Sequence, residues 1–402
     1  MLLYAKYLAA GLAYYGILAL LLLAYFSICS PELLSKDVLL FFDSVHYQSV
    51  ATQGYETHFE VAFFPLFPFL WKFLGFSLLG ISLFNALLYI SCLAFIARIE
   101  MLDWIDYFIA LALPSAIFYF IPYSEALYFS CSLLILYGIR SNSFPLQIVG
   151  IALCSFCRPV LPILLPTILL YHFIYRRSIS KTIISGLTAL SGTLLAFFIH
   201  WIYTGDFLSY FTAFNTWDYN FKFPLLPLTS GGGGAIRQLD GYGLLVGVFS
   251  IMLLIRLLKE RTRNRNDSDK VFSLAYLAFL TILIISLMRG GRLDSMNRFL
   301  FCSPYFVLGL FYIEKNLIRN KGLKNFALTF VGLIAFSLLF QSYVHIQTFL
   351  KYAIGAFVLS LFLAKKHVII RGVIVEKAIL FATLVAAQIL LLSKLLNGDW
   401  IG

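Results

Sequence analysis

The stretch FFDSVHYQSVATQGY at 41–55 holds Asp43, His46, Gln48 and Gln53 in a chain of 402 residues of which only 12% are charged. A helix over 43–52 would put Asp43 and His46 one turn apart on a shared face. An acid and an imidazole so spaced can move a proton at a reacting hydroxyl. Glu56, His58, Glu60 and the segment AFFPLFP at 62–68 follow at once. Further polar islands lie at PYSEAL (122–127, with Glu125) and CRPV (157–160, with Arg158). YTGDFLSYFTAFNTWDYN (203–220) holds Asn215, Trp217 and Asp218, and RGGRLDSMNRF (289–299) holds Arg289, Arg292 and Arg298.

Ionisable groups beside an apolar slab are costly, so they pair with one another or line a polar cavity. Glu125 and Arg158 could simply hold helices together, but five islands on one side of a membrane point to a site. One carboxylate with several arginines suits transfer from a phosphate-linked donor: the carboxylate takes the proton of an attacking hydroxyl. Guanidiniums hold and neutralise the phosphate that leaves. Phe63, Phe64, Phe67, Phe69 and Trp71 could line a groove for a lipid tail or pack at the membrane interface. His46 and His58 with Asp43, Glu56 and Glu60 could bind a divalent ion. Their spacing matches no zinc pattern such as HExxH, so no metal and no cofactor is expected. Cys154 and Cys157 form a lone CxxC, read as small residues in a packed helix. Gly231–Gly234 lacks the lysine and Ser/Thr of a P-loop and reads as a mobile surface loop.

The elements that must position these groups are membrane spans. The chain is 61% hydrophobic and 17% aromatic, which a soluble domain of this length cannot be. Apolar spans fall near 7–28, 61–97, 105–121, 123–139, 145–175, 182–203, 241–258, 271–288, 298–313, 325–344, 349–364 and 377–395. The run 61–97 divides into a shorter helix and a full span. The run 145–175 is too long for one span and breaks at Arg158, Pro159 and Pro162. The expectation is one all-α polytopic domain, 1–402, with roughly 11 to 13 transmembrane helices. The first apolar run exceeds the core of a signal peptide and has no small-residue cleavage site, so it is read as a retained span.

The net charge of +11 reads as topology rather than nucleic-acid binding. Residues 259–270 carry five Lys/Arg, 314–325 carry four and 365–377 carry four, while Arg176, Arg177 and Lys181 cluster between two other spans. Placing these in the cytoplasm agrees with the order of the spans. The opposite side then receives 29–60 as a first, catalytic loop, 204–240 as a second loop, the turn 121–124, the tip 157–160 and the loop 289–297. The single sequon, Asn266-Asp267-Ser268, falls on the cytoplasmic side.

FDSVHYQSVATQGYETHFEVAFFPLFP resembles the signature WD-x-x-[HW]-[YF], A-x-x-GY, AFFP-x-[FY]-P of the GPI mannosyltransferase II family. The resemblance continues in order through YSEALYF, CRPV, TGD…W and NRF…P, up to about residue 315. Phe42 stands where that family has Trp. The resemblance implies a GT-C fold in the endoplasmic reticulum membrane with lumenal catalytic loops. It implies transfer of mannose from dolichyl-phosphate-mannose to a GPI precursor glycolipid, adding the second mannose in α-1,6 linkage. A β-linked donor and an α product require inversion, hence one displacement and one base. Asp43 matches the catalytic acid, and its competing role is to cap the helix that follows. His46 would face the same cleft. Glu60 or Glu125 would hold sugar hydroxyls, and Arg158 and Arg298 the donor phosphate, with Arg289 and Arg292 behind them. Asn215, Trp217 and Asp218 would close over the acceptor. A small membrane partner subunit is compatible with this.

Two other readings keep the same architecture or membrane class. One is a bacterial-type transferase using a polyprenyl-phosphate sugar. The other is a transporter, which should carry midplane charges and inverted repeats that this chain does not display.

Overall fold

The structure is a computed structural model that describes residues 2–29, 39–217, 222–231, 234–260, 267–287, 292–313, 323–340, 370–399 and 401. These residues form helices, with no strand among them and only isolated bridges at Leu228–Phe340 and Thr229–Arg292. Helices long and apolar enough to cross a membrane occupy Leu2–Leu21, Leu78–Glu100, Ile179–Thr204, Ile236–Lys259, Ser268–Ser286 and Lys377–Leu396. The chain therefore has the character of a multi-pass helical membrane protein.

Among the described residues six helices are long enough to span, against the 11 to 13 spans read from hydropathy, and proline divides several of the apolar runs. The run 105–121 becomes α5, Trp104–Leu111, and a 3-10 helix Pro114–Tyr119. Pro114 lacks an N–H and disfavours helical geometry in Leu113, so the α-helix stops there. The run 298–313 divides at Pro304 into α13, Met296–Phe301, and α14, Pro304–Ile313. The break expected at Arg158–Pro159 separates α7, Phe144–Cys157, from α8, Leu161–Ile174. The run expected at 349–364 lies outside the described residues.

The chain groups into two compact units. The first comprises Met1–Ser130 and Ile369–Ile401. In it α1, Leu2–Cys29, packs against α4, Leu78–Glu100, and α5. The Tyr7 hydroxyl donates to the Leu102 carbonyl, and the Tyr107 hydroxyl donates to the Tyr7 carbonyl at 2.7 Å. Breaking the helix after Leu111 frees carbonyls in an apolar setting, where they need side-chain donors. Tyr15 donates to the Leu111 carbonyl at 2.5 Å. Gln388 of the C-terminal helix α16, Ile370–Leu396, donates to the carbonyls of Leu111 and Leu113 at 3.2 and 3.4 Å. Tyr14 donates to Gln388 Oε1 at 2.8 Å, and Lys377 pairs with Asp106 at 2.5 Å. The C-terminal helix, read from hydropathy as a span at 377–395, thus repairs a broken helix of the first unit.

The second unit comprises Cys131–Val368 and Gly402. Here α7 lies against α9, Ile179–Thr204, so closely that a Cβ on Gly192 would stand 2.6 Å from the Ala152 carbonyl oxygen. Helix α11, Gly234–Glu260, packs on α12, Ser268–Leu287, through Leu253, Val271 and Leu274. Arg140, Arg177 and Lys181 each meet a partner near helix ends. Arg140 meets Asp269 at 3.4 Å, Arg177 donates to Asn142 Oδ1 at 2.9 Å, and Lys181 lies 5.5 Å from the Phe144 ring centre.

Candidate functional site

In the first unit, the stretches 41–55, 56–68 and 121–125 meet at one end. Helix α2 spans Asp43–Thr52, with Asp43 as its first residue. The N-cap is Phe42, with no side-chain cap bond, so the helix start does not use Asp43 as its cap. Phe42 has φ 54° and ψ −121°, a strained conformation for a bulky residue. Buried Ser44 holds the turn: its Oγ accepts the Phe41 N–H at 2.7 Å and is 2.8 Å from the Phe41 carbonyl. Asp43 and His46 are half-buried on one turn of α2. The His46 ring stacks on Phe63 at 5.0 Å with an interplanar angle of 20°.

Tyr47 fastens α2 to its surroundings. Its ring packs edge-on against Phe63 and Phe67, and its hydroxyl meets Ser124 Oγ at 2.7 Å. Tyr123 donates to the Phe41 carbonyl at 3.2 Å, beside Asp43. Asn85, fully buried on α4, donates through Nδ2 to the carbonyls of Ile121 and Tyr123, both at 2.9 Å. These bonds fix the turn that delivers Glu125, a fully buried residue, at the start of α6, Glu125–Arg140.

Glu60 is 4% exposed, and its Oε2 accepts the N–H groups of Glu56 and Thr57, both at 2.9 Å. One carboxylate oxygen therefore secures the turn 56–60. Phe63, Phe64, Phe67 and Trp71 are buried, and Trp71 donates to the Phe76 carbonyl at 2.8 Å. Phe69 is half-buried. Among the described residues, no group of three or more His, Cys, Asp or Glu side chains could hold a metal.

In the second unit, Arg158 ends α7 in extended geometry and is 9% exposed, while Arg298 sits on α13 at 5%. Their guanidinium carbons lie 6.0 and 5.7 Å from the centre of the same ring, Phe299, within cation–π range. Asn215 is exposed near the end of α10, Ser209–Thr216, and Trp217 is half-buried just after it. This short helix packs against α9. Asp218 and Arg289 lie outside the described residues. Arg292 is partly exposed and pairs with Asp294 at 2.9 Å.

Sequence reasoning missed a buried carboxylate. Asp240 is fully buried, and its Oδ1 accepts from the Asn297 backbone N–H at 2.8 Å and from Asn297 Nδ2 at 2.7 Å. Its Oδ2 accepts from Ser230 Oγ at 2.5 Å. Hydropathy started this span at 241, but the helix begins at Gly234, so Asp240 lies nearly two turns inside it. An acid in the first turns of an apolar helix was the available signal. Gly231, read as part of a mobile loop, is instead tightly placed. Its N–H donates to Asp294 Oδ1 at 2.6 Å, and a Cβ there would collide with the Arg292 guanidinium. No family model, no curated protein and no solved structure matches the chain.

Proposed function

We propose that this chain is a GT-C-type glycosyltransferase of the endoplasmic reticulum membrane that moves mannose from dolichyl-phosphate-mannose to a GPI precursor glycolipid. The product carries a second mannose in α-1,6 linkage, made on the lumenal side. The observation that carries this reading is the meeting of three separated motif stretches around Asp43 and His46, tied by Tyr47–Ser124, Tyr123–Phe41 and Asn85. A loop kept only for topology would need none of these bonds.

In the reaction, the acceptor hydroxyl oxygen attacks C1 of the donor mannose. The new C–O bond forms as the bond from C1 to the phosphate oxygen breaks, and that electron pair leaves with dolichyl phosphate. The hydroxyl proton passes to the Asp43 carboxylate, with His46 orienting the acid. A single displacement inverts the β-linked donor to an α product. The resemblance assigns the leaving phosphate to Arg158 and Arg298 of the second unit, through charge-assisted, directional bonds. Glu125 holds sugar hydroxyls, and Glu60 keeps its Oε1 for the same task. Asn215, Trp217 and Asp218 close over the acceptor.

The test is mannosyl transfer in membranes from cells lacking the second GPI mannosyltransferase, supplied with this chain or its Asp43→Asn form at matched expression. The amide keeps the shape but not the basicity. Wild type is expected to rescue transfer, and Asp43→Asn to lose about 10²-fold or more, the usual worth of a general base. Equal rescue by both forms removes Asp43 as the base. No rescue by wild type, with compatible host subunits shown, removes the GPI acceptor and favours a polyprenyl-phosphate-sugar donor.

A further inference from the structure

We propose that Asp240 is a positioning residue for the donor phosphate: by gripping Asn297 and Ser230 it fixes helix α13, and so sets where Arg298 presents its guanidinium. This rests on the donor reading above.

The argument begins with cost. A carboxylate buried inside an apolar helix is expensive unless its oxygens are taken up by hydrogen bonds. Asp240 has three, and two come from one residue, the backbone and side-chain donors of Asn297. Holding both fixes the backbone of Asn297 and the direction of its side chain together. Arg298 is the next residue. Helix α13 has six residues, too few to maintain a helix unaided, so its geometry must come from outside.

The approach to α13 is held as firmly. Ser295 has φ 65°, a left-handed conformation that persists only where the surroundings over-determine it. The Leu293 N–H donates to the Thr229 carbonyl at 2.6 Å, and Asp294 takes both the Gly231 N–H and Arg292. Segments 229–231 and 292–297 are thus latched twice, at the surface by Asp294 and in the interior by Asp240. Arg298 and Arg158 flank one ring, Phe299. Guanidinium grips a phosphate through a planar fork, so a small rotation of α13 degrades the contact.

The experiment uses full-length protein in lipid nanodiscs. The readouts are amide exchange over Met296–Phe301, binding of dolichyl phosphate, and KM and kcat with dolichyl-phosphate-mannose. Asp240→Asn is expected to speed exchange at Asn297 and Arg298 about tenfold or more, the scale of one lost charge-assisted bond. KM should rise by a similar factor while kcat stays within about twofold, because binding rather than chemistry is disturbed. Combining Asp240→Asn with Asn297→Asp puts an amide and a carboxylate face to face again and should recover most of the KM.

Faster exchange with KM unchanged overturns the proposal, as does unchanged exchange. If Asp240→Asn does not accumulate, Ser230→Ala carries the test with smaller changes in the same directions, and no change in either readout overturns it. Failure of wild type to bind dolichyl phosphate or transfer mannose overturns the donor reading itself. That failure is visible before any variant is made.

Discussion

Asn85 shows how much one buried side chain governs near Asp43. Its Nδ2 serves two carbonyls, of Ile121 and Tyr123, and Tyr123 in turn reaches the Phe41 carbonyl. Asn85→Leu keeps the volume but strands both carbonyls, at about 1–3 kcal/mol for each group left unsatisfied. Thermal unfolding in detergent should show a clear loss of stability as the turn before Glu125 slackens. Asn85→Asp, which sets oxygen against oxygen, should be worse; a variant as stable as wild type would show that the turn is held by other means. The shared turn of Asp43 and His46 was legible from spacing alone, since a helix places residues three apart together whatever surrounds it. Asn85 was not, because nothing in a run of apolar residues says which carbonyl a lone amide will meet.

At the scale of elements, strained backbone precedes both helices that carry proposed chemistry: Phe42 before α2 and Ser295 before α13. The other non-glycine residues with positive φ, Met101, Asn142 and Arg176, follow the ends of α4, α6 and α8, where left-handed geometry is ordinary. Close helix packing is a second device of the elements. A Cβ at Gly192 would stand 2.6 Å from the Ala152 carbonyl oxygen and 2.9 Å from Ser155 Cβ, whereas one at Gly186 would meet only Leu165 Cδ1, at 3.4 Å. Gly192→Ala should therefore destabilise by about 1–3 kcal/mol through overpacking. Gly186→Ala should be neutral or stabilising by up to about 1 kcal/mol, since alanine is the better helix former. Melting temperatures of the two variants side by side check the pair, and equal shifts would deny the close approach of α7 and α9. Both glycines lie in one apolar run, so composition alone does not separate them.

For the whole molecule, the charge pattern makes a claim about sides that one sequon can test. In the first unit Lys377, from one of the basic clusters, forms an ion pair with Asp106. At its other end Phe41, Tyr123 and Gly398 come together, the Gly398 Cβ position being 3.5 Å from Phe41. In the second unit Arg140, Asp269, Arg177 and Asn142 share one end. Expression in a eukaryotic host should leave Asn266 without a glycan, read as no mobility change on endoglycosidase treatment. A glycan at Asn266 would invert the assignment and move Asp43 to the cytoplasmic side.

Hydropathy by itself determined the helical membrane class, and spacing put Asp43 and His46 one turn apart on α2, because each depends on local pattern. Tertiary structure decided which polar side chains do the holding. Gln388 reaches the Leu111 carbonyl across 277 positions of chain, and Asp240 reaches Asn297 across 57. It also gave Phe63, Phe64, Phe67 and Trp71 to the interior, turned one Glu60 oxygen toward its own loop, and ended α5 where Tyr15 and Gln388 donate to the Leu111 carbonyl. Hydrogen bonds of that reach are chosen by packing. A buried polar group must find its partner wherever the fold brings one, and sequence separation carries no record of that choice.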